Sequence, residues 1–71
     1  MNILLQDSQT LKYINPTAGW TNKHDEARIF QRGLDALFFC YNAGIPNTVL
    51  LFEFADPQKN FSLPVTDNRG D

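Results

Sequence analysis

The sequence has very few of the residues that cross-link a small protein or supply catalytic groups. Its 71 residues include one cysteine, Cys40, and one histidine, His24. One cysteine cannot form an internal disulfide, and one cysteine with one histidine cannot provide the four ligands of a structural zinc site. A chain of this length buries only about 60% of the surface that it exposes when unfolded. We therefore expect its stability to depend on close packing or on self-association.

An excess of positive charge and long apolar runs are also missing. Lys and Arg number 6 against 8 Asp and Glu, which leaves a formal charge of -2 at pH 7. This balance argues against a protein whose main task is to neutralise phosphates, so nucleic acid is not the expected partner. No apolar run approaches the roughly 18 residues of a membrane span, and no signal-peptide pattern opens the chain. We expect a cytoplasmic protein with no membrane partner.

The composition that is present is typical of a folded globular domain. It is 42% hydrophobic and 20% charged, which lies outside the range of disordered chains. Residues 66–71 contain no apolar side chain and are expected to form a flexible C-terminal tail. We predict one domain over residues 1–65.

The segment 30–44 is the only stretch that is both long and apolar enough for a core helix. At about 100° per residue, nine of its residues fall on one arc of roughly 220°. These are Phe30, Gly33, Leu34, Ala36, Leu37, Phe38, Cys40, Tyr41 and Ala43. We predict a main helix over about 31–43 that ends at Gly44, after a separate short turn within 22–28. The arc is wider than the ~100° stripe that one packing contact needs, and Phe39 lies apart from it among polar residues.

Four short segments have the composition of β-strands. They are 3–6, 10–14, 48–54 and 61–65. The first and third are apolar on both faces, which is typical of internal strands. Asp7, Ser8 and Gln9 predict a tight hairpin between the first two, and Trp20 with Thr21 can extend briefly.

The last of these segments alternates, with Phe61, Leu63 and Val65 expected to point inward. Pro64 confines this strand to an edge of the sheet. The element order is therefore ββαββ, and we predict a small α+β domain in which one helix packs on a mostly antiparallel four-stranded sheet. One helix cannot cover both faces of such a sheet. A second copy of the chain is the simplest candidate to cover the remaining apolar surface.

These features resemble those of a family of short bacterial and phage-type proteins with no known activity. The shared features are an aliphatic first strand, a Tyr in the second, a Trp-Thr pair, an Ala-x-x-Phe step, a helix with Ala-x-x-Phe-Cys, an aliphatic strand and a closing Leu-Pro. Here they are Leu4 and Leu5, Tyr13, Trp20-Thr21, Ala27 with Phe30, Ala36 with Phe39-Cys40, 49–54, and Leu63-Pro64. In such sequences a Ser often stands two residues after the first Phe, where this chain has Arg32. The resemblance implies the fold and no activity.

The candidate catalytic and metal-binding residues have simpler structural explanations. His24, Asp25 and Glu26 are consecutive, so their side chains diverge on a helical turn and suit its solvated first residues. Cys40 lies within the apolar arc, where a thiol packs as a small hydrophobic group and is unreactive. We predict no catalytic residue, no metal, no cofactor and no small-molecule ligand.

Large aromatic side chains are the remaining candidates for a functional surface. Phe38, Phe39, Tyr41, Trp20 and Tyr13 are predicted to form an interaction surface for another protein, which could be a second copy of the chain. An alternative function is that of a small acidic regulator or a weak single-stranded nucleic-acid binder. It would stack bases on Tyr13 and Trp20 beside Arg28 or Arg32.

Overall fold

The computed structural model describes residues 1–45 and 47–65, so the predicted tail over 66–71 lies outside the described residues. The described chain folds into one α-helix and a five-stranded antiparallel sheet. The elements are β1 (Asn2–Asp7), β2 (Tyr13–Ile14), β3 (Trp20–Thr21), α1 (Gly33–Ala43), β4 (Thr48–Glu53) and β5 (Phe61–Val65), with 3₁₀ turns at His24–Glu26 and Pro57–Lys59. The predicted α+β class is confirmed, whereas the predicted count of four strands is wrong.

The additional strand, β3, pairs antiparallel with β2. Ile14 stands opposite Trp20, and Tyr13 stands opposite Thr21. The chain reverses between them because the side chain of Asn15 accepts hydrogen bonds from the backbone N–H groups of Thr17 and Gly19. Asn side chains favour this kind of local turn. The predicted order ββαββ is therefore corrected to βββαββ.

The strands lie in the order β3-β2-β1-β4-β5 across the sheet. Strands β1 and β4 are internal, as their two apolar faces predict, and they pair along their whole length from Asn2 with Glu53 to Asp7 with Thr48. Strand β5 lies at the edge, as Pro64 predicts.

The connection between β1 and β2 is longer than the predicted tight hairpin. The Asp7 carboxylate accepts hydrogen bonds from the N–H groups of Gln9 and Thr10, at 2.7 and 3.0 Å. Leu11 then takes a positive φ of 64° and donates its N–H to the Asp7 carbonyl. Asp7 thus holds the following residues in a turn, so the second strand begins at Tyr13 and not at residue 10.

Helix α1 begins at Gly33, two residues after the predicted start near 31, and a separate 3₁₀ turn precedes it, as predicted. Between the 3₁₀ turn and α1, the chain is extended and forms backbone hydrogen bonds with two strands. The N–H of Arg28 donates to the carbonyl of Ile14 in β2, and the N–H of Phe30 donates to the carbonyl of Ile3 in β1. Gly44 ends the helix in the left-handed conformation, with φ 65°, which is the usual role of a glycine after a helix.

The hydrophobic core lies between α1 and one face of the sheet. Its buried members are Ile3, Leu5, Ile14, Phe30, Ala36, Cys40 and Leu50. In a strand, successive side chains point to opposite faces, so Leu4 lies on the other face, and it is nevertheless buried. On that face His24 contacts the ring of Tyr13 and the carboxylate of Glu53. The 3₁₀ turn therefore lies on this face, with His24 in contact with both β2 and β4.

Candidate functional site

Helix α1 buries only part of its apolar arc. Ala36 and Cys40 are buried, whereas Leu34, Phe38 and Tyr41 are 62%, 60% and 59% exposed. These three positions are separated by four and three residues and therefore form one stripe along the helix. The predicted apolar arc is therefore divided: one part packs on the sheet, and the other part is exposed to solvent. A helix that rests on one sheet buries only the side that faces it.

The other flank of α1 is where Phe39 packs. Its ring meets the Phe30 ring edge-on, with centroids 5.7 Å apart, and the Arg28 guanidinium lies over both rings, at 4.6 and 5.1 Å. Phe39 is half-buried against the core, and Asp35 and Asn42 flank it on the helix, as the predicted position among polar residues requires. Because Phe30 lies on the β2 side of β1, helical geometry turns Leu34 and Tyr41 toward the β5 side.

Strand β5 carries two exposed apolar side chains on the same sheet face as α1. Leu63 stands opposite Leu50, and Phe61 stands opposite Phe52; directly opposed residues share a face. Phe61 and Leu63 therefore point to the helix side of the sheet, as predicted. They remain 47% and 49% exposed, because α1 packs mainly on β1 and β4.

Phe52 lies close to both the first residue of α1 and the edge strand β5. Its ring stacks on the Phe61 ring, with centroids 4.6 Å apart and planes 10° from parallel. At its other end it approaches Gly33, where a Cβ would lie 3.9 Å from the Phe52 ring. The five exposed residues on this side form what we call the α1–β5 surface: Leu34, Phe38, Tyr41, Phe61 and Leu63.

The structure distributes the five side chains predicted to form the interaction surface over four places. Phe38 and Tyr41 belong to the α1–β5 surface, Phe39 packs on the opposite flank of the helix, and Trp20 is 38% exposed on β3. Tyr13 is half-buried, with its ring edge-on to His24 at 5.5 Å.

Sequence reasoning did not select three members of the α1–β5 surface: Leu34, Phe61 and Leu63. The spacing of Leu34 from Phe38 and Tyr41 was a signal for the helical part. The exposure of Phe61 and Leu63 depends on how far α1 extends across the sheet, and no local sequence pattern predicts that.

The geometry does not favour base stacking by Tyr13 and Trp20. Tyr13 and Ile14 are consecutive in β2, and Ile14 is the residue opposite Trp20. Successive strand residues point to opposite faces, so the two aromatic rings lie on opposite sides of the sheet. The Arg28 guanidinium lies over the rings of Phe30 and Phe39.

The single histidine takes part in a polar contact between distant parts of the chain. His24 Nε2 lies 2.9 Å from Oε1 and 2.7 Å from Oε2 of Glu53, and both side chains are partly exposed. Asp25 and Glu26 do not join this pair as ligands of an ion: in residues 1–45 and 47–65, no three His, Cys, Asp or Glu side chains form a metal-binding group. The contact between His24 and Glu53 links the 3₁₀ turn to β4.

Cys40 is buried on the sheet side of α1. Burial raises the pKa of its thiol, and a hydrogen bond with Thr48 acts in the opposite direction with a smaller effect. A thiol with a raised pKa is protonated at neutral pH and is a poor nucleophile. The packing role expected for Cys40 agrees with this environment.

An open groove of about 730 Å³ lies along the flank of α1 away from β5. The preceding segment lines it with Arg28, Ile29, Phe30 and Gln31, and α1 lines it with Asp35, Phe38, Phe39, Asn42 and Ala43. Phe38, near the crest of the helix, therefore borders both this groove and the α1–β5 surface.

Comparison with known proteins does not assign a family. No family model, no curated protein and no solved structure matches the chain. The resemblance noted from the motifs therefore stays a prediction. Within the described residues, no helix has the length and apolar character to cross a membrane.

Proposed function

We propose that this chain is a non-enzymatic protein–protein interaction module and that its α1–β5 surface is the binding site. The observation that carries the proposal is the stripe of Leu34, Phe38 and Tyr41, each about 60% exposed on a regular helix. The strand residues Phe61 and Leu63 extend it on the same side of the molecule.

The size and chemistry of this surface fit a protein partner. A large aromatic side chain covers roughly 150–250 Å², so five large apolar side chains at about half exposure present on the order of 500 Å². This is comparable to the largest apolar patch of an ordinary monomer, which is often functional. Aromatic residues are enriched and charged residues depleted at the centres of protein interfaces, and none of the five residues is charged.

The proposal of a non-enzymatic role is supported by how the polar side chains are used. His24 and Glu53 bond to each other and join two parts of the fold, and the one thiol is buried with a raised pKa. These groups stabilise the domain in the arrangement observed. We also propose a cytoplasmic location, which the reduced, buried Cys40 supports because reducing compartments preserve free thiols.

A photocrosslinking amino acid in place of Phe38 tests the proposed binding site in the native host. We expect a crosslinked adduct with a protein, which mass spectrometry would identify as a second copy or another chain. The same amino acid in place of Leu11 is the control, because Leu11 is similarly exposed at 62% but lies in the loop after β1. Equal crosslinking at both positions, or none at Phe38, would rule out the α1–β5 surface as the binding site.

A further inference from the structure

We propose that the partner of the α1–β5 surface is a second copy of this chain, bound in a two-fold symmetric dimer with the two α1 helices packed antiparallel. This inference rests on the proposed function and specifies the occupant of the same site. Three features of the surface carry it: its symmetry, its area and the protection of the neighbouring sheet edge.

The stripe on α1 is nearly symmetric about its own centre. Leu34 and Tyr41 stand at its ends, and Phe38 stands next to its midpoint. When two such helices pack antiparallel about a two-fold axis, each residue of one meets the residue at the mirrored position of the other. An axis beside Phe38 therefore places Leu34 against Tyr41 of the second copy and brings the two Phe38 rings together.

The area of the surface matches that of a small specific dimer. Each copy contributes on the order of 500 Å² of apolar surface, so the dimer buries about 1,000 Å². A biological interface needs about this area at least. Two copies of a chain with a net charge of -2 repel each other, and they approach most easily through a surface that has no charged residue.

The free edge of β5 is a poorer site for self-association than its face. Proline has no backbone N–H, so Pro64 leaves the short edge strand one donor fewer for pairing with another strand. Prolines and short edge strands are common protections against edge-to-edge pairing. The second copy is therefore expected on the helix side of the sheet, over Phe61 and Leu63.

Sedimentation equilibrium of the purified chain at micromolar concentrations tests the dimer. We expect a species of twice the 8.1 kDa chain mass, and we expect Phe38→Lys to weaken the association by about tenfold or more. Leu63→Lys tests the strand part of the surface in the same way. Leu11→Asn is the control, because it alters an equally exposed residue outside the surface and is expected to leave the dimer intact.

A mixture of Phe38→Lys and Phe38→Glu tests the symmetry directly. Each variant alone is expected to be monomeric because like charges meet at the axis, and the mixture is expected to form a heterodimer. Far-ultraviolet circular dichroism confirms that the variants are folded, as expected for a side chain that is 60% exposed.

Three results would overturn the inference: a wild-type chain of 8.1 kDa throughout, a Phe38→Lys variant that associates like the wild type, or a mixture that stays monomeric. If the purified chain is monomeric while Phe38 crosslinks to a different protein in the host, the dimer is wrong and the proposed function survives. Failure of both experiments removes the binding site itself.

Discussion

His24 and Glu53 form a hydrogen-bonded pair, with Nε2 of the imidazole 2.7 Å from Oε2 of the carboxylate. The residues are 29 positions apart, and their contact ties the 3₁₀ turn at His24–Glu26 to the end of β4. It lies on the sheet face opposite α1, above Leu4. The face that the single helix cannot cover is thus partly covered by the chain's own connecting segment, and the exposed residues of the α1–β5 surface lie on the helix side.

Removal of the His24–Glu53 pair is expected to destabilise the fold modestly. We expect His24→Ala and Glu53→Gln each to lower the free energy of unfolding by about 1 kcal/mol, because the bond is partly screened by solvent. The double variant should lose less than the sum of the two. Urea unfolding followed by Trp20 fluorescence measures these values.

The control for this prediction is Lys23→Ala. Lys23 forms a looser ion pair with Glu26, at 3.9 Å, between two well-exposed side chains. Such pairs contribute little, so we expect a change below about 0.5 kcal/mol. Additive losses in the double variant would show that the contact between His24 and Glu53 does not persist in solution.

Alanine substitutions at two glycines of α1 are expected to have opposite effects. Gly44 has a φ of 65°, and among the described residues that are not its chain neighbours none lies within 4 Å of the position that an added Cβ would take. Gly44→Ala should therefore cost about 1 kcal/mol through backbone strain. Gly33 begins the helix, and its added Cβ would make an ordinary contact with Phe52 at 3.9 Å. Gly33→Ala should stabilise the chain by about 0.4–1 kcal/mol.

The thermal unfolding midpoints of Gly44→Ala and Gly33→Ala test these two predictions. Gly44→Asn is a useful third variant, because Asn tolerates the left-handed conformation better than Ala does. Its unfolding midpoint should lie between those of wild type and Gly44→Ala. If Gly33→Ala lowers the midpoint, the contact between α1 and Phe52 is tighter than the structure shows.

The Cys40 thiol is expected to be protected in the folded protein. Burial raises its pKa, so the reactive thiolate is scarce at neutral pH. We expect native Cys40 to react with a thiol reagent about tenfold more slowly, or slower still, than the same chain unfolded in urea. Fast reaction of the native chain would contradict the burial of this residue.

The raised pKa of Cys40 also predicts how stability depends on pH. The unfolded chain ionises its thiol at a lower pH than the folded chain does. The stabilisation from the protonated, buried thiol is therefore complete below the ordinary thiol pKa and is lost as the pH rises above it. Cys40→Ala should remove this alkaline loss, which urea titrations at neutral and alkaline pH would measure.

Single-stranded nucleic acid is expected not to bind. Tyr13 and Trp20 lie on opposite sheet faces, and Arg28 is engaged with two phenylalanine rings. Titration of the chain with a mixed-sequence oligonucleotide at low salt should leave Trp20 fluorescence unchanged. A saturable change that weakens with added salt would favour the alternative function, because phosphate contacts are salt-dependent.

Local sequence patterns were sufficient to predict most elements of this fold. The apolar segment ending at Gly44, the two-faced apolar strands and Pro64 correctly predicted the helix end, the internal positions of β1 and β4 and the edge position of β5. The extension at Trp20 and Thr21 was predicted, but their pairing with β2 as a fifth strand was not, because it depends on the Asn15 turn. The start of β2 was misplaced because the Asp7 carboxylate accepts hydrogen bonds from two later N–H groups.

The sequence by itself determined that this small chain has more apolar surface than one helix and one sheet can bury. Composition and periodicity were sufficient to predict this excess. Composition gives the number of apolar residues, and periodicity shows on which face of each element they lie. Only the tertiary structure decided where the excess lies. The placement of α1 over β1 and β4 packs Phe39 partly against the core and leaves Leu34, Phe38 and Tyr41 exposed. The position of a helix on a sheet depends on contacts between residues far apart in the chain.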